Sequence, residues 1–138
     1  AFFLGVHVSW MGKHTIFRGP FGPLFRWLGG IPLDRASSHN AVDQMIQAFK
    51  EHDSLFLGLA PEGTRRRVAF WKSGFYHIAL GAGVPIVIGF IDYGKKDCGI
   101  GPIIYPSGDI EADMAVIRGF FETVTPRHPK RFGPVVTS

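Results

Sequence analysis

A chain of 138 residues with 46% hydrophobic composition has the length of one domain and enough apolar side chains to bury a core, which excludes a disordered segment. The formal charge of +4 and the sequence pI near 9.5 favour an anionic partner, without choosing among a phosphate, a nucleic acid and an acidic lipid surface. The single cysteine, Cys98, excludes an internal disulfide and any multi-cysteine zinc site, and no apolar run reaches the roughly 18 residues that span a bilayer.

Val6, Val8 and Trp10 alternate with His7 and Ser9, a period of two that predicts a half-buried strand ending at Gly12. Residues 13–30 mix Gly and Pro with Phe17, Phe21, Leu24, Phe25, Trp27 and Leu28, which reads as a loop and one short helix from about Pro23. The segment "GIPLDR" is extended, with Pro32 placing it at a sheet edge or a strand end. In "SSHNAVDQMIQAFKEHD" the spacing of Val42, Met45, Ile46 and Phe49 predicts a helix, capped by Ser38 or Asn40.

Residues 54–59 form an apolar strand, and "SGFYHIALGAG" predicts a helix with Phe75, Ile78, Ala79 and Ala82 inward and Gly83 as its stop. "VPIVIGFIDY" reads as a strand buried on both faces, and "IGPIIYPSG" as a further short strand. The last helix runs from Asp109 to about Val124, with Ile110, Met114, Ile117 and Phe121 on one side. Helices alternating with apolar strands imply an α/β fold, a mostly parallel central sheet flanked by helices over residues 1–124. Residues 125–138 are polar, basic and proline-containing, and read as a loosely held tail.

The chemistry concentrates in "APEGTRRR", residues 60–67, directly after the strand at 54–59. Ligands of such sheets gather where strands end and loops open. Pro61 stiffens the bend, Gly63 lets backbone amides approach a ligand, Thr64 offers a hydroxyl and Arg65 can grip two phosphate oxygens. Three arginines alone would read as a solvated surface loop; Glu62 and Gly63 set this one apart. A carboxylate beside a phosphate site needs an arginine or a ligand hydroxyl as partner, and a phosphorylated polyol offers both phosphate and hydroxyl. No Gly-x-x-x-x-Gly-Lys-Ser/Thr occurs, and "GAGVPIVIG" is a helix end entering a strand rather than a dinucleotide fingerprint.

These residues resemble the third signature block of the glycerophospholipid acyltransferases, the group that includes 1-acyl-glycerol-3-phosphate acyltransferase. "GGIPLDR" at 29–35 is similar to the family's second block, "GVPIVIG" at 83–89 to its fourth, and "MGKHTIF" at 11–17 to a segment of bacterial members. Arg66 stands where many members have serine, and Ile88 where many have proline. The resemblance implies transfer of a fatty acyl group from acyl-CoA or acyl-carrier protein to the free hydroxyl of a lysophospholipid, with no cofactor and no metal. By position it implies that Arg35, Glu62, Gly63 and Arg65 hold the acceptor's phosphoglycerol part, and the hydroxyl of Thr64 adds a further candidate contact.

The family's first block, His-x-x-x-x-Asp, supplies the base that takes the acceptor's proton. The six histidines of this sequence are followed five places later by Gly12, Gly19, Gln44, Leu57, Ala82 and Gly133, so none fits. The expectation is a fragment that begins after that block and is inactive alone. "FRGPFGPLFRW" interleaves aromatics with Arg18 and Arg26 and implies peripheral contact with the cytosolic face of a membrane. The rival readings are a non-catalytic phospholipid- or anion-binding module, which would not need a base, and a nucleic-acid binder, against which stands the absence of any nucleic-acid motif.

Overall fold

The computed structural model describes residues 8–33, 38–63, 68–128 and 133–137, with the backbone alone at 38–40. Helices and strands alternate along the chain except for two consecutive strands before the last helix, and the chain forms two compact units, Ala1–Leu59 and Ala60–Ser138.

The first unit is a parallel sheet. Strand β1 (Val8–Lys13) lies between β2 (Gly30–Leu33) and β3 (Phe56–Gly58), and pairs in parallel with both. Parallel neighbours cannot be joined by a tight turn, so each connection carries a helix. A 3-10 turn (His14–Arg18) and helix α1 (Gly22–Trp27) link β1 to β2, and helix α2 (Ser38–Glu51) links β2 to β3. The spacing read in α2 turns Met45 inward, where it is almost wholly buried. The caps expected at Ser38 or Asn40 fall on side chains outside the described residues.

The glycines of the first unit make room for an aromatic cluster. The Phe17 ring stands 5.9 Å from Trp10 and 6.3 Å from Phe25, the latter pair edge-on. A methyl on Gly30 would fall 2.6 Å from the Phe25 carbonyl oxygen and 2.7 Å from the Phe17 ring. Only a residue without a side chain lets β2 start against those rings. The Trp10 indole N–H donates to the Leu28 carbonyl at 3.1 Å and ties the end of α1 to β1.

The second unit holds helix α3 (Gly74–Ala82), strands β4 (Ile86–Asp92) and β5 (Asp97–Ile104), and helix α4 (Ile110–Phe121). Gly83 ends α3 at φ 67°, the left-handed conformation that stops helices. The Asp109 side chain caps α4 by accepting the Ala112 N–H at 3.1 Å, and Met114 and Ile117 reach a core shared with Trp71, Ile88, Ile104 and Val135. Each fully buried side chain of that size contributes about 1.5–3 kcal/mol.

Two expectations need correction. Strand β4 is not buried on both faces: it pairs antiparallel with β5, with Ile88 and Asp92 inward and Val87 and Ile91 exposed. Four residues join the strands, with Lys96 left-handed at φ 54° and Asp92 accepting the Lys95 N–H at 2.9 Å, so a hairpin replaces the crossover a parallel strand needs. The C-terminal segment is not loose throughout. Val135 lies in the core, the Val136 carbonyl accepts the Trp71 N–H at 2.7 Å, and Trp71 forms a parallel bridge with Thr137.

A buried polar junction crosses this unit. The Tyr76 hydroxyl donates to Asp113 Oδ2 at 2.7 Å and accepts the Gly108 N–H at 3.0 Å, while the Ser107 N–H donates to the same carboxylate oxygen at 2.8 Å. The helix reading turned Phe75, Ile78 and Ala79 inward and missed Tyr76, one of the most buried residues of the chain. Its hydroxyl is tolerated there because both of its hydrogen-bonding capacities are used.

Candidate functional site

Residues 60–63 form a tight turn. The Gly63 N–H donates back to the Ala60 carbonyl at 3.0 Å, which puts Pro61 at the position where its fixed φ favours turning, and Glu62 at the bend. Gly63 itself has φ 63°, a left-handed conformation that other residues adopt at a cost of about 1–2 kcal/mol. The Glu62 side chain is half-buried and has no hydrogen-bond partner among the described residues. Arg35, Thr64 and Arg65, the remaining residues expected at the site, lie outside the described residues.

The base of the turn is fastened from the other side. The Pro61 carbonyl accepts the Lys72 N–H at 3.0 Å, and the adjacent Trp71 N–H goes to Val136. Trp71 is buried, with its ring edge-on to Phe75 at 6.3 Å and to Phe121 at 5.7 Å. Lys72 is therefore held at its backbone between the signature turn and a core tryptophan. Its side chain runs back over the turn: a methyl on Gly63 would stand 3.3 Å from Lys72 Nζ and 3.4 Å from Cε. Sequence reasoning missed Lys72. It is a single cation nine places beyond Gly63, and a contact with a glycine leaves no periodic trace.

Strands β2 and β3 run in the same direction, so their C-terminal ends, Leu33 and Gly58, face the same edge of the three-stranded sheet. The chain leaves β2 at Leu33 two residues before Arg35, and leaves β3 at Gly58 two residues before the turn begins. Lys13, at the end of β1, is exposed, as is Pro85 before β4.

No histidine among the described residues forms an ion pair with a carboxylate. His52 contacts its own helix through the Ala48 carbonyl at 2.8 Å, His77 is exposed with its ring against Tyr76, and His128 is exposed. Among the described residues no cluster of His, Cys, Asp and Glu could hold a metal ion, and no helix is long and apolar enough to cross a membrane. Cys98 is exposed on β5.

Comparison with known proteins gives this turn a context. The family model described as Acyltransferase matches residues 2–88, a span that takes in both the 29–35 and the 60–67 segments. A 1-acyl-sn-glycerol-3-phosphate acyltransferase of Haemophilus influenzae is 37% identical over 84 residues, covering 56% of this chain and 35% of the relative. The enzymes of the same name from Salmonella typhimurium and Escherichia coli are 33% and 32% identical over 84 residues, again covering 56% of this chain and 34% of theirs. The chain thus spans about a third of the length of the curated relatives it matches. No solved structure matches it. With the family model covering more than half of the sequence, including the turn at 60–63, this chain belongs to the acyltransferase family.

Proposed function

We propose that the protein transfers a fatty acyl group from a thioester, acyl-CoA or acyl-carrier protein, to the hydroxyl of a lysophospholipid of the 1-acyl-glycerol-3-phosphate kind. The observation that carries this reading is the left-handed Gly63 turn with Glu62 at its bend, inside a span matched by the acyltransferase model and by enzymes named for that acceptor. In the reaction the acceptor oxygen attacks the thioester carbonyl, a C–O bond forms, the C–S bond breaks, and the hydroxyl proton ends on the departing thiol. Arg35 and Arg65 supply guanidinium groups for the acceptor phosphate, Gly63 and Thr64 supply hydrogen-bond donors, and Glu62 orients a glycerol hydroxyl or an arginine. The base comes from a His-x-x-x-x-Asp block, for which no histidine of these 138 residues qualifies, so the segment alone binds acceptor without turnover.

The protein works at the cytosolic face of a membrane as a peripheral protein. Supporting this is the surface around α1, where Trp27 is 76% exposed and Phe21 63%, beside Leu24, Leu28, Arg18 and Arg26. Aromatics that enter the headgroup layer beside cations that meet anionic lipid are the pattern of an interfacial helix.

The test is acyl transfer by the full-length protein with a panel of lysolipids and both thioester donors. Product formed with the phosphomonoester acceptor supports the reading. Tight binding of that acceptor with no transfer from either donor would leave a non-catalytic phospholipid-binding module in its place.

A further inference from the structure

Lys72 belongs to none of the segments that the family resemblance assigns to the acceptor. Its backbone is nevertheless fastened to the turn. The backbone is held by the Lys72 N–H to Pro61 bond at 3.0 Å and by the neighbouring Trp71 N–H to Val136 bond at 2.7 Å. From that anchor the stem crosses Gly63, with Nζ, Cε and Cδ at 3.3, 3.4 and 3.6 Å from where a methyl would be. Packing of the stem on the turn accounts for Cδ and Cε. It does not account for the ammonium, a strongly hydrated group that gains nothing from resting on a bare backbone.

The usual reason for such a placement is an internal carboxylate, and none is engaged among the described residues. Glu62 is the residue before Gly63, yet Lys72 makes no ion pair among the described residues. Lys72 is exposed, and among the described residues its ammonium stands unpaired beside the one residue of the turn that has no side chain. A glycine at that point gives an anionic oxygen access to the turn's backbone and to the ammonium together.

Building on the acyl-transfer reading above, we propose that Lys72 binds the acceptor's phosphate directly, donating a charge-assisted hydrogen bond from Nζ to a phosphate oxygen seated over Gly63. A lysine suits this role as a point charge, complementing the fork of an arginine rather than repeating it. Lys72 is thus a binding residue of the acceptor site, and selects phosphomonoester acceptors over uncharged monoacylglycerol.

Two measurements on the full-length protein separate this proposal from the reading it rests on. In the first, surface amines are acetylated with limiting acetic anhydride, with and without inorganic phosphate or lysophosphatidic acid, and modification of Lys72 is read by mass spectrometry. Protection of Lys72 by either supports the proposal whether or not turnover is seen, and protection by the lysolipid alone assigns the contact to the lipid headgroup. Lys72 labelled equally in all conditions overturns it. In the second, Lys72→Met keeps the stem and deletes the charge, and Lys72→Arg restores it. Lys72→Met is expected to raise KM for lysophosphatidic acid about tenfold or more, with KM for monoacylglycerol and the melting temperature unchanged, and Lys72→Arg to recover most of the loss. Unchanged KM in Lys72→Met beside an active wild type sinks the lysine assignment alone. An inactive wild type sinks the acyl-transfer reading, with the labelling result still deciding Lys72.

Discussion

The Tyr76 hydroxyl and the Asp113 carboxylate meet at 2.7 Å inside the second unit, joining α3 to α4 through two buried side chains. The Ser107 backbone N–H, first among the causes, holds the Asp113 carboxyl below the usual carboxylate range; burial opposes it, and the Tyr76 and Ser107 hydroxyls add to the lowering. Protonation is then easier in the unfolded chain than in the folded one. The stabilisation is complete above the ordinary carboxylate value of about 4 and is lost as pH falls through the lower folded value. Tyr76 shifts the other way, raised first by burial and then by its bond to Asp113. Its contribution is complete below about pH 10 and is lost as pH rises through the folded value.

Asp113→Asn is therefore expected to lower stability by about 2 kcal/mol at neutral pH, since an amide cannot accept all the bonds the carboxylate holds. It should also flatten the acid side of the stability curve. Melting temperatures of wild type and variant between pH 2.5 and 7 check this; curves that stay parallel down to the acid limit would remove Asp113 from the account.

Gly63 and Gly83 form a matched pair for separating strain from function. Their φ angles are 63° and 67°, so alanine at either carries a similar backbone cost of about 1–2 kcal/mol. They differ in what a methyl would meet: the Lys72 stem at Gly63, and nothing within 4 Å at Gly83. Gly83→Ala should lower the melting temperature and leave acceptor KM unchanged. Gly63→Ala should do the first and also raise KM several-fold, measured by steady-state kinetics of the full-length protein.

Val135 tests whether the C-terminal segment is part of the core. Val135→Ala is expected to cost about 1–3 kcal/mol through lost packing, and Val135→Asp more than 3 kcal/mol through an unpaired buried charge. Denaturant unfolding measures both. Wild-type stability in Val135→Asp would mean that residues 133–137 do not pack as described.

The exposed aromatics of α1 make a prediction about lipid. Trp27→Asp should reduce flotation of the full-length protein with anionic liposomes about tenfold, and raising salt should weaken binding further through Arg18 and Arg26. Equal flotation of variant and wild type would contradict the proposed membrane contact through α1.

Much of this fold could be read from spacing. Met114 and Ile117 share a helix face and Gly83 is a stop, and both readings hold because each depends on neighbours within one turn of helix. The pairing of β4 could not be read that way. An apolar run with no alternation looks buried on both faces, and its hairpin turn depends on Lys96 at φ 54° and on Asp92, with no Asn-Gly to announce it. The tail misled for a related reason: proline and basic residues around Val135 hide one side chain that reaches the core. At the candidate site, the Ala60–Gly63 turn was legible, since proline and glycine stand at their favoured places. Lys72 was not, because its contact with Gly63 is made across a loop and only the folded chain brings the two together.

In the proposed function, the turn beginning at Ala60 meets the phosphate of a lysophospholipid acceptor. The most direct measurement is KM for 1-acyl-glycerol-3-phosphate in full-length Arg65→Ala. A rise of about 10- to 100-fold is expected, with KM for a phosphate-free monoacylglycerol little changed. An equal change for both acceptors, or none for either, would contradict it.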